Sequence, residues 1–123
     1  MAEPKKTSVL ILSRQCPYDG TLAQSAVDFS LATAAFEQPV SLLLMGNGVL
    51  QLLSGQDTQG SSQKNIGKRL SSLPLYGIEK VYVDATSMAR YDLQAEDLLL
   101  PVEILRDASL TALFSDHDHV VSF

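Results

Sequence analysis

The chain has 123 residues, 9 basic and 14 acidic, giving a net charge of −5; this length suits one domain and excludes two ordinary ones. Hydrophobic residues at 46% and charged residues at 19% exclude disorder and supply enough apolar surface for a core. The acidic balance argues against direct nucleic-acid binding, which draws on a basic field.

The first predicted element is Ser8-Val9-Leu10-Ile11-Leu12, a short apolar run of the kind that forms a strand buried on both faces. A polar loop follows from Ser13 to Gly20. Thr21 stands three residues before Gln24, the spacing of a capping box at a helix start. Leu22, Ala26, Phe29, Ala32 and Phe36 then recur at spacings of three and four, which predicts that they form the buried stripe of this helix. Pro39 ends it. Val40 to Met45 reads as a second buried strand, closed by Gly46-Asn47-Gly48, with Asn47 expected to cap a short helix from Val49 to Leu53.

Residues 54–62 are rich in Gly, Gln, Ser, Asp and Thr and read as a mobile surface loop. Helical spacing resumes from Gln63 to Leu73, with Ile66, Leu70 and Leu73 inward. Lys80 to Asp84 is the third predicted strand, followed by a short helix over Ala85 to Arg90. Val102 to Leu105 gives a fourth strand and Asp107 to Leu113 a helix capped by Asp107 or Ser109. His119 to Phe123 gives a fifth strand. Strands alternating with helices predict an α/β fold: three layers, α/β/α, around a mostly parallel five-stranded sheet, in one domain over residues 1–123.

The N-terminus, Met1 to Lys6, lacks a secretory signal, and apolar runs such as Leu42 to Met45 and Leu98 to Leu100 are too short to cross a bilayer. The one cysteine, Cys16, excludes an intramolecular disulfide and fits a reducing compartment. The expected location is the cytoplasm.

Cys16 is the first candidate for chemistry, because it follows the first strand at the carboxyl edge, where open α/β sheets hold ligands. A thiol near a helix start can have a lowered pKa and act as a nucleophile. A phosphatase-type Cys-x5-Arg loop is missing, since position 22 is Leu22, and no Cys-x-x-Cys occurs. An incidental loop thiol explains Cys16 as well, because a nucleophile needs an activating partner. Gly46-Asn47-Gly48 resembles part of a phosphate-binding turn, but position 51 is Gln51, so both glycine-rich fingerprints fail. His117 and His119, flanked by Asp116 and Asp118, would share one side of a strand, yet no third group of ligands accompanies them. They read as surface or interface residues. Asp84 and Asp92 form a possible acid–base pair, although Asp84 at a strand end is more simply a helix cap. Lys64, Lys68 and Arg69 would share a helical face and read as a solvated basic patch. No cofactor or metal site is expected from these residues.

Several segments together resemble the small sulfurtransferase subunits DsrE, DsrF and DsrH, also called TusD, TusC and TusB. They are Gly46 to Leu53, Leu73 to Val83, the helix around Ala32-Thr33-Ala34-Ala35-Phe36, and the end Asp118 to Phe123. The ordered set is most like TusC (DsrF). The resemblance implies a heterohexamer with TusB/DsrH-like and TusD/DsrE-like sister subunits, two copies of each. Such a complex relays persulfide sulfur towards 2-thiolation of the tRNA wobble uridine, or serves dissimilatory sulfur oxidation. The sulfur sits on a cysteine of the TusD/DsrE subunit just after its third strand, and in this sequence Asp84 takes that position. Since aspartate cannot form a persulfide, the resemblance implies a non-catalytic subunit. A thiol-dependent sulfurtransferase using Cys16 and a homo-oligomer binding a small ligand are the rival expectations.

Overall fold

A computed structural model describes residues 7–15, 22–36, 38–53 and 70–123. Five strands form one sheet in the order β4-β3-β2-β1-β5, every neighbouring pair parallel. They are β1 (Val9–Ser13), β2 (Val40–Leu44), β3 (Lys80–Asp84), β4 (Glu103–Leu105) and β5 (His119–Ser122). Among the described residues they are accompanied by the α-helices α1 (Leu22–Ala35), α2 (Ala85–Arg90) and α3 (Asp107–Ser115). Short 3₁₀ segments run over Gly46–Leu52, Leu73–Tyr76 and Ala95–Asp97.

The strand order fixes where the helices go. Parallel connections are almost always right-handed, so the steps β1→β2→β3→β4, all in one direction, place their connections on one face. The return from β4 to β5 runs the other way and places α3 on the opposite face. The packing agrees. Val9, Ile11, Leu42, Leu44, Val81 and Val83 meet one cluster with Ala26 and Val27 of α1, Val49, Leu52, Leu73 and Met88. Leu10, Leu12 and Leu43 meet a second cluster with Leu110 and Leu113 of α3. β1 and β2 are buried along their whole length, because both faces of the central strands are covered. This is the three-layer α/β/α arrangement expected from the sequence, with a sheet that is wholly parallel.

Three local expectations are corrected. The buried face of α1 is Ala26, Val27 and Ser30, small residues that let the helix approach the sheet. Of the expected stripe only Ala26 is buried; Leu22, Phe29 and Phe36 are 47%, 40% and 80% exposed, and Ala32 is exposed too. Helical periodicity finds an apolar seam but does not say whether it faces inward. Asn47 does not cap the following segment, where Met45 holds the cap position without a side-chain bond; its Oδ1 instead accepts from the Tyr91 hydroxyl. At α3 the cap position is Arg106, again with no side-chain bond, and Asp107 is already in the first turn.

Leu70 and Leu73 are buried as expected. Leu50 to Leu53 and Leu98 to Leu100 face each other within the chain, through a bridge between Leu53 and Leu98 and a 2.8 Å bond from the Leu99 N–H to the Leu52 carbonyl. Cys16, Thr21, Lys64, Ile66, Lys68, Arg69 and the loop 54–62 lie outside the described residues. No helix among the described residues is long and apolar enough to cross a membrane.

Candidate functional site

The connections that leave β3 and β4 depart to opposite faces, into α2 and α3. Two neighbouring strands that diverge in this way open a crevice at their carboxyl ends, the usual ligand position in open α/β sheets. Here it measures about 520 Å³ and is lined by Ala85, Thr86 and Ala89 of α2 and by Arg106, Asp107 and Ala108 at the start of α3. Three alanines make it wide, and Arg106 and Asp107 give it one charge of each sign. Arg106 was not singled out by sequence reasoning, because only the tertiary fold brings it opposite α2.

Asp84 ends β3, adjoins Ala85 of the crevice lining in the chain, and is 7% exposed. Its carboxylate accepts from the Thr86 N–H at 3.2 Å and from the Ser87 hydroxyl at 2.8 Å. It is the N-cap of α2, as the sequence predicted, because aspartate at this position satisfies an N–H that has no partner within the helix. Ser87 in turn accepts from the Gly46 N–H at 2.7 Å, so Asp84, Ser87 and Gly46 tie the ends of β3 and β2 together. Ser87 escaped notice in the sequence; its signal is its place three residues after a capping aspartate. Chemically, a carboxylate held by two donors is a structural acceptor and offers no sulfur-bearing atom.

Asp92 lies beyond the other end of α2, in a turn at φ +53°, and is not brought to Asp84. The six-residue helix separates them by about 9 Å along its axis.

Gln51 is fully buried. Its Nε2 donates to the Ser13 hydroxyl at 2.8 Å and to the Gln15 carbonyl at 3.0 Å. It anchors the start of the loop that leads to Cys16, the chain's one cysteine. A polar residue inside the run Val49 to Leu53 was the sequence signal for this role.

The histidines sit at the amino edge, away from the crevice. His117 precedes β5 and bridges two elements: Nδ1 donates to the Leu113 carbonyl at 2.8 Å, and Nε2 shares a hydrogen bond with the Ser41 hydroxyl at 3.0 Å. Asp118 accepts from the Ser8 N–H at 2.9 Å. His119, in β5, is exposed. His117 therefore clamps α3 to β2, and no group of three or more candidate metal ligands occurs among the described residues.

Tyr82, on the α3 face of β3, has its phenol pKa raised by burial, then by the negative charges of Glu103 and Asp116. A folded-state pKa above the unfolded value means that this contribution to stability is complete below pH about 10. It is lost as pH rises through the folded value. In an alkaline absorbance titration Tyr82 is expected among the late-ionising phenols, and Tyr82→Phe should remove that late step. An unchanged curve in the variant would show that Tyr82 is not held in this way.

A model of the DsrE/DsrF-like family matches residues 7–123. The chain belongs to the DsrE/DsrF-like family. It is 39% identical to a Protein TusC homolog of Pseudomonas aeruginosa over 94% of this chain and 97% of that one. It is 32% identical to the intracellular sulfur oxidation protein DsrF of Allochromatium vinosum, covering 93% and 94% of the two chains. The crystal structure of the ychN protein from E. coli superposes with a TM-score of 0.83 at 22% identity, covering 95% of this chain and 99% of that one. That likeness shows the fold alone. The family membership agrees with the resemblance carried by Gly46 to Leu53, Leu73 to Val83 and the C-terminal strand.

Proposed function

We propose that this DsrE/DsrF-like chain is a TusC/DsrF-like, non-catalytic subunit of a cytoplasmic sulfur-relay complex that supports 2-thiolation of the tRNA wobble uridine. Its partners are a TusB/DsrH-like and a TusD/DsrE-like sister. The observation that carries this reading is Asp84. It stands at the end of β3, where the resemblance puts the sister's sulfur-carrying cysteine, and its carboxylate is taken up in capping α2. The crevice beside it has no thiol among its lining residues. A net charge of −5 makes tRNA the beneficiary of the relay rather than a direct partner. A second reading, a DsrF-like subunit in sulfur oxidation, is favoured by the similarity to the Allochromatium vinosum protein.

The first test is native mass spectrometry of the tagged chain purified gently from its own cells. Two further small subunits in equal amount are expected, with the persulfide on one of them. A chain that emerges without them overturns the subunit assignment. In cells, Cys16→Ser is expected to leave the thiouridine content of tRNA unchanged. Loss of thiolation with normal protein levels would transfer the sulfur chemistry to Cys16.

A further inference from the structure

Asparagine stands at positions 47 and 65 of the chain. Asn65 is followed by the β-branched Ile66, but Asn47 is followed by Gly48. An asparagine side chain deamidates when the main-chain nitrogen of the next residue attacks its Cγ. Glycine, with no side chain and open dihedrals, resists that attack least. Asn47 is exposed to water and Gly48 is buried, in a segment where a side chain at position 48 would meet the Ser13 carbonyl. The fold thus demands glycine here, and the same glycine leaves Asn47 beside an unshielded nucleophile.

Two hydrogen bonds oppose the reaction. The Gly48 N–H donates to the Met45 carbonyl at 2.9 Å, which retains the proton that must leave before the nitrogen attacks. The Asn47 Oδ1 accepts from the Tyr91 hydroxyl, which holds the side-chain amide against the rotation that brings Cγ to that nitrogen. Tyr91 is the C-cap of α2 and packs against the larger core cluster, so its hydroxyl is presented from a fixed base. We propose that Asn47 is a latent deamidation site, kept intact by Tyr91 and the Met45 carbonyl and released when the segment Gly46–Leu52 loosens from β1. The Gly48 nitrogen gives its proton to hydroxide and bonds to Asn47 Cγ; the side-chain nitrogen leaves as ammonia, closing a succinimide. Water then opens the ring to aspartate or isoaspartate, with no oxidation or reduction. In isoaspartate the main chain gains a methylene between positions 47 and 48. That insertion displaces Gly48 from its seat against Ser13, so the change reinforces the loosening that allows it.

This inference goes beyond the relay reading and does not depend on it. The isolated full chain is incubated at mildly alkaline pH, in buffer and in urea, and deamidation is followed by peptide mass spectrometry. Asp19-Gly20 cyclises without losing ammonia, so the mass change at residue 47 reports Asn47 alone, with Asn65 as the slow reference. One net hydrogen bond corresponds to a factor of roughly five. The native chain is therefore expected to deamidate about twenty-five-fold more slowly than the unfolded chain, and Tyr91→Phe about fivefold faster than the native chain. Equal rates in buffer and urea overturn the proposal, as does an Asn47 that stays intact in urea. An unchanged rate in Tyr91→Phe removes Tyr91 from the device, and a slower one would make its hydroxyl an acid that assists the attack; either overturns the proposal. A urea melt checks that this variant is folded. If it is not, the ratio between native and unfolded rates of the unmodified chain decides.

Discussion

Replacing Gly48 by alanine is expected to lower stability by about 3 kcal/mol, the upper end for forcing atoms into a filled site. A Cβ at this position would stand 2.1 Å from the Ser13 carbonyl oxygen and 2.9 Å from its carbon. Both atoms belong to backbone, so no side chain can rotate out of the way. The same oxygen accepts from the Met45 N–H at 3.1 Å, and moving it would break the link between the ends of β1 and β2. The segment Gly46–Leu52 packs directly on β1 only because position 48 has no side chain. Gly46→Ala provides the contrast. Its Cβ meets nothing within 4 Å, but its φ of +55° disfavours an L-residue by about 1 kcal/mol. Urea unfolding of the two variants should therefore rank Gly48→Ala well below Gly46→Ala. Equal midpoints would mean that the close approach at Ser13 is not maintained in solution.

Asp84→Ala is expected to cost about 2 kcal/mol, combining the loss of a helix cap with the loss of the acceptor for the buried Ser87 hydroxyl proton. The cap bond to Thr86 and the bond to Ser87 both end on this carboxylate, and Ser87 reaches on to Gly46. Truncation thus loosens the start of α2 and its tie to β2 together. Asp84→Asn keeps an acceptor oxygen and should lose less than half as much. The two variants separate structure from chemistry. If the proposed relay role holds and Asp84 serves the fold alone, Asp84→Asn in a folded chain is expected to leave the thiouridine content of tRNA unchanged. Thiolation lost in that folded variant would show that the carboxylate takes part in the transfer.

Both predictions concern the carboxyl edge, and the two residues differed in how visible they were. Asp84 was legible as a cap because the signal is local: an acidic residue between a β-branched strand and a helix-forming run. The requirement for glycine at position 48 was not, since the atom it avoids lies 35 residues earlier in the chain, in Ser13. Arg106 and the alanines that line the crevice were hidden for the same reason, being assembled from α2 and α3. Ser87 and Gln51 fall between, each marked by a polar type at a place where neighbours are apolar or capped.

The sequence by itself determined the order of the five strands and of the α-helices between them, though not the short 3₁₀ segments, because buried parallel strands such as Val9–Ser13 and Val40–Leu44 need continuous apolar runs. It also determined that position 84 has no thiol, since aspartate offers no sulfur to carry a persulfide. The tertiary structure decided which side of α1 is buried. Both sides of that helix carry apolar residues, and the choice fell to the small ones, Ala26, Val27 and Ser30, because a helix lies close to a sheet only where side chains are short. Leu22, Phe29 and Phe36 were left outside by the same packing, on the flank beside β5, where their meaning depends on what the chain meets.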